Sequence, residues 1–130
     1  MASNISLAVG DGVATKAWRS SRQVLAVLAR LDDGKRAALD ELIRWLDGFF
    51  PEDAILVIRK HCPQAQEQSE AKAILDYWRR SGIIIGRRSE HDRAPNGQQR
   101  AIYHVTGFVA PALAMLDQAL IEIRRDLRER

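Results

Sequence analysis

The sequence predicts a mainly α-helical domain that carries one β-hairpin and ends in a long helix. Three observations predict it. Stretches between residues 20 and 81 repeat apolar residues at helical spacing and are bounded by cap residues. Two β-branched runs, "GIIIG" and "AIYHV", flank a polar stretch holding the turn signal Pro95-Asn96-Gly97. From Val109 to Leu127, large apolar residues recur at alternating steps of four and three.

The first seventeen residues hold small side chains and no sustained period, and residues 1–18 are expected to be a flexible arm or a short strand in want of a partner. Ser20 and Gln23 stand at capping-box spacing, which predicts a first helix over about 21–31 with Val24, Leu25, Leu28 and Leu31 on its inner face. The Asp32-Asp33-Gly34 turn leads to a second helix with Leu39, Leu42, Ile43 and Leu46 inward, ended by Gly48. Pro51, Glu52 and Asp53 suit the positive end of a third helix dipole, and Arg59, Lys60 and His61 suit its negative end. Pro63 stops it.

After the connector "PQAQEQ", Ser69 is placed to cap a fourth helix over about 70–81. Its inner face would be Ala71, Ile74, Leu75 and Trp78, with Gly82 as terminator. Strands are expected near 83–87 and 101–106, with a turn at Asn96-Gly97. Pro111 then opens or stiffens a helix running to the C-terminus.

A chain of 130 residues with 46% apolar and 28% charged residues has the composition of one ordinary globular domain. Its single cysteine, Cys62, excludes an internal disulfide and fits a reducing compartment; we expect it to be buried. No signal sequence is evident and no apolar run approaches the roughly 20 residues needed to span a bilayer, so the expectation is a cytoplasmic protein without membrane contact. The net charge is only +3, but its placement is informative: residues 82–107 hold four Lys/Arg against two Asp/Glu, while 51–81 and 108–130 are balanced. A local cationic excess on a projecting element points to a polyanion.

The stretch "SEAKAILDYWRRSGIIIGRR…QRAIYHVTG" resembles the winged helix-turn-helix DNA-binding proteins, in particular regulators of the MarR and PadR type. Tyr103 and Thr106 match the aromatic and threonine that often end the second wing strand there, and Asp92-Arg93 is similar to the Asp/Arg pair of MarR-type wings. The resemblance covers roughly residues 20–130. Two helices over 35–63 and the lack of a long N-terminal helix bring the chain closer to the PadR plan, with dimerisation through the C-terminal helix. It implies a winged-helix domain over 19–107 and a dimerisation helix over 108–130. It also implies a recognition helix beside an electrostatic wing, and an effector pocket between the core and the dimer helices.

With its inner face assigned, the fourth helix offers Ser69, Lys72, Ala73 and Asp76 outward, where polar side chains reach base edges or phosphates in a major groove. Gln64, Gln66 and Gln68 in the connector are neutral phosphate donors, and Arg87, Arg88, Arg93 and Arg100, with Gln98 and Gln99, would be the wing's contacts. Glu67, Glu70 and Asp76 would repel phosphate, so a solvated surface helix is the bland alternative. Val109, Leu113, Leu116, Leu120, Ile123 and Leu127 form a heptad seam that fits a two-fold dimer contact, or packing onto the helix's own domain.

Candidate chemistry is weak. His61-Cys62 is an adjacent pair whose side chains diverge on a helix, and His61, Cys62, His91 and His104 lack metal-ligand spacing. We therefore expect no cofactor, no metal and no enzymatic activity. The function that the sequence predicts is sequence-specific binding of double-stranded DNA by a homodimeric transcriptional regulator. Its alternatives are a winged-helix protein-interaction module and a DNA-binding protein of plasmid or phage maintenance.

Overall fold

In the computed structural model, residues 22–129 are described. The expected arm over 1–18 and the Ser20 cap lie outside them. The elements are α1 (22–29), α2 (Asp33–Ile43), α3 (Pro51–His61), α4 (Gln68–Arg80), β1 (Ile84–Arg93), β2 (Gln99–Val105) and α5 (Val109–Glu129). The order is the one the sequence predicts: a helical core, a two-stranded antiparallel hairpin and a long C-terminal helix. No helix among the described residues is long and apolar enough to cross a membrane.

Val24, Val27 and Leu28 of α1 enter the core, while Leu25, expected inward, is exposed. Asp32 caps α2 by accepting from the Lys35 amide at 2.8 Å. Ala38, Leu39 and Leu42 are its buried face. The helix stops at Ile43, short of the expected end, and Leu46 is left 87% exposed. The backbone of Phe49 explains this. It exchanges two hydrogen bonds with Tyr103 of β2, at 2.9 and 2.8 Å, adding a one-residue third strand to the hairpin. Gly48, at φ +93°, makes the turn into that bridge, and a Cβ there would lie 2.6 Å from Ile102 and 2.8 Å from His104.

The third helix begins and ends where its caps predict, with Ala54, Ile55, Val57 and Ile58 buried and Cys62 buried just beyond it. The fourth helix starts earlier than expected. Glu67, not Ser69, is its N-cap residue, and Ser69 lies inside the first turn. Ala71, Leu75 and Trp78 are buried as predicted, with Ile74 packed against the core.

The end of α4 fixes the hairpin. Gly82 takes φ +84°, and the amides of Gly82 and Ile83 donate back to the carbonyls of Arg79 and Trp78 at 3.3 and 2.9 Å, the double closure of a Schellman cap. Thr106 clasps the same corner: its hydroxyl donates to the Gly82 carbonyl at 2.6 Å and its amide to the Ile83 carbonyl at 2.8 Å. The strands are longer than expected. They pair from Ile84 with Val105 to Arg88 with Ala101, break at 89–92, and resume at Arg93 with Gln99. The break is organised by Ser89, a buried hydroxyl that donates to the Asp92 carboxylate at 2.8 Å and accepts from the Asp92 amide at 3.0 Å. At the tip, Gly97 donates to the Ala94 carbonyl at 2.9 Å, closing the turn over Pro95-Asn96.

The helix α5 is anchored at its start. Val109, Ala112 and Leu113 are buried in the core, and Leu116 packs at its edge. Arg36 of α2 grips Asp117 with two parallel hydrogen bonds, at 2.8 and 2.9 Å. This divides the predicted seam. Val109 and Leu113 serve the core of their own chain, whereas Leu120, Ile123 and Leu127 stay 50–62% exposed.

Candidate nucleic-acid interface

On α4 the buried residues leave one outer stripe. Ser69, Lys72 and Ala73 are exposed along it, Asp76 is half-buried, and Arg79 and Arg80 are exposed at its end. Residues three and four apart are neighbours on a helix, so Lys72, Asp76, Arg79 and Arg80 share a face. That face runs into an open cleft of about 770 Å³ between α4 and β1, lined by Ala73, Asp76, Arg79, Arg80 and the strand residues 84–86. A second hollow of about 400 Å³ continues it along the hairpin, past Arg87 and Arg88. Arg79 and Gly86 belong to both.

The junction is built around Tyr103. Its buried ring meets Phe49 edge to face and lies against Gly86, where an added Cβ would fall 2.7–2.8 Å from the ring carbons. The Arg79 guanidinium stacks over the same ring, 4.6 Å from its centre. A cation held over an aromatic face keeps its charge and loses side-chain freedom, which presents it to a ligand at lower entropic cost. Arg88 donates to the Gln99 carbonyl at 3.1 Å, and Arg87 reaches the His104 ring at 3.3 Å. Along the cleft, then, four arginines face one acid, Asp76.

Other predicted contacts sit elsewhere. Arg100 turns away: its guanidinium pairs with Glu52 and lies 3.7 Å from the centre of the Phe50 ring, on the α3 side of the hairpin. Arg93, Gln98 and Gln99 belong to the far end of the hairpin, beyond the Ser89 bulge. Gln66 is committed to its own connector, donating to the Pro63 carbonyl at 2.8 Å, while Gln64 and Gln68 are exposed at the approach to α4. The sequence prediction missed Arg79 and Arg80. Their signal was present, as the continuation of the 69–72–76 stripe by three and four residues.

Between α1 and α5, where the effector pocket was expected, lies a groove of about 570 Å³ bordered by Leu28, Leu31, Leu116 and Leu120. Of the four charged residues that line it, Asp33, Arg36, Asp117 and Arg124, Arg36 and Asp117 pair with each other, and this pairing holds the Asp117 carboxyl below the usual carboxylate range.

No protein-family model matches the chain, and no curated protein matches it. Solved structures similar to it include a PadR-like transcriptional regulator of Bacillus cereus, 14% identical, with a TM-score of 0.44 over 71% of this chain and 84% of that one. Another is a proposed transcriptional regulator of Thermoplasma acidophilum, 19% identical, with a TM-score of 0.45 over 87% of this chain and 93% of that one.

Proposed function

We propose that the chain is a homodimeric transcriptional regulator that binds double-stranded DNA through α4 and the hairpin, and that it is not an enzyme. The observation that carries this reading is the arginine-lined cleft between the outer stripe of α4 and β1. Lys72 and Ser69 at the start of α4 supply groups that hydrogen-bond base edges, and Arg79, Arg80, Arg87 and Arg88 supply phosphate contacts. The exposed lower seam of α5 supports a two-fold contact, which would present two such faces to a palindromic site.

Charge reversal at Arg80 and Arg87 tests it. Both side chains are exposed, so the fold should survive. The double variant R80E/R87E should lose most of its affinity for any duplex, because each reversal replaces a phosphate contact with repulsion. Unchanged affinity in a folded double variant would remove the cleft from the interface. Exposed Trp45 and Leu46 beside the hairpin base favour the alternative of a protein-binding module, and a wild-type chain that ignores DNA at low salt would select it.

A further inference from the structure

One residue of the α4 face runs against the rest of it. Asp76 stands among cations on a surface that phosphate binding needs to be positive. Its direction follows from the helix itself. At 3.6 residues per turn it lies roughly 130° from the mean direction of the buried Ala71, Leu75 and Trp78, so its side chain leaves α4 on the outer side. There it is half-buried and borders the cleft toward β1. Lys72 stands one turn before it and Arg80 one turn after, the spacing at which opposite charges pair on a helix. Yet among the described residues the Asp76 carboxylate makes no ion pair and no side-chain hydrogen bond. Arg79, three residues on, is drawn off to the Tyr103 ring, 4.6 Å from its centre. A carboxylate left open in the middle of such a face keeps its acceptors for a donor that arrives from outside.

The major groove narrows the choice of donor. Guanine shows the acceptors N7 and O6 there and thymine the acceptor O4, all of which repel a carboxylate. Adenine shows its N6 amino group beside the acceptor N7, so one carboxylate oxygen gains what the other loses. Cytosine alone shows an amino group, N4, with no acceptor next to it. Ala73, exposed three residues before Asp76, ends at Cβ and lets a base edge approach the short acidic side chain. We propose that Asp76 is a specificity-determining residue: its carboxylate accepts a hydrogen bond from the N4 amino group of a cytosine, and the bound site carries a C·G pair opposite the middle of α4. The role rests on the DNA-binding reading above, which it deepens. The acid weakens the hold on DNA in general and, by repelling the other bases, sharpens the choice among sequences.

The experiment is selection from a randomised duplex pool by the full chain, as wild type, Asp76→Ala and Asp76→Asn, followed by titration of the selected duplex. Both replacements remove a charge from a partly exposed position without a partner, so the fold should persist. The wild-type selection should fix cytosine at one position. Exchanging that C·G pair for T·A should weaken binding about tenfold, within the range of one well-made base contact. In Asp76→Ala the same exchange should change affinity less than about twofold, while affinity for random duplex rises because a repulsive charge is gone. Asp76→Asn should move the selected base to adenine, whose N6 and N7 match a side-chain amide. No fixed cytosine in the wild type, a cytosine preference that survives in Asp76→Ala, or equal gains by that variant on selected and random duplex would overturn the assignment and leave the DNA reading standing. A wild-type chain that binds no duplex at low salt would overturn both.

Discussion

Arg100 sits in the hairpin with the other arginines, yet it is a structural residue. Its pairing with Glu52 and stacking on Phe50 tie β2 to the start of α3. A cation–π contact contributes about 0.5–1 kcal/mol at exposed sites, and a surface ion pair about 0–1 kcal/mol. Arg100→Ala should therefore lower unfolding stability by about 1 kcal/mol in a urea titration and leave the salt dependence of DNA binding unchanged. A shallower salt slope with unaltered stability would make it a phosphate contact after all. Glu41 offers a pH test at the same scale. Its carboxylate accepts from His61 at 2.8 Å and Lys60 at 2.9 Å, and these contacts, His61 foremost, lower its pKa. A depressed carboxylate stabilises the fold above its unfolded pKa and loses that contribution as pH falls through the folded value. Stability should thus be held above about pH 4.5, the ordinary glutamate value, and decline below it. Glu41→Gln should flatten that acid limb; an identical limb in the variant would mean the contacts do not persist in solution.

Among the elements, α5 joins two roles in one period. Val109 and Leu113 anchor it in the core, and Leu120, Ile123 and Leu127 leave an apolar face uncovered. Side chains of this size buried between two helices contribute about 1.5–3 kcal/mol each. Leu120→Asp with Ile123→Asp should give a folded monomer by sedimentation, since neither residue supports the chain's own core; a dimer of unchanged mass would place the two-fold contact elsewhere. A 4-3-4-3-4 spacing looks the same whether its apolar residues meet a partner or their own domain, so the division at Leu116 was not legible in the sequence. The third helix was legible, because Pro51 and the basic triplet 59–61 act within single turns. The end of α2 was not. Its apolar period continues to Leu46, but the Phe49–Tyr103 bridge, formed across more than fifty residues of chain, draws the backbone out of the helix first. At the start of α4, buried Ala65 and the Gln66–Pro63 hydrogen bond close the connector early, so the helix begins ahead of Ser69.

For the whole molecule, a formal charge of +3 understates what the fold does with its cations. The excess at 82–107 was visible in the sequence as a basic flap. That it joins Arg79 and Arg80 across a cleft, and surrenders Arg100 to α3, depends on the Schellman corner and the Thr106 clasp that set the angle between hairpin and helix. The role proposed for this assembled cleft is to hold the phosphate backbone of a duplex. The most direct measurement is the affinity of the wild-type chain for random-sequence duplex as a function of salt. Each phosphate contact contributes roughly 0.9 to the slope of log K against log salt, so Arg79, Arg80, Arg87 and Arg88 predict a slope near −3.6 per protomer. Binding at low salt that falls with such a slope is the expected result. No binding at low salt, or binding that salt leaves unchanged, would contradict it.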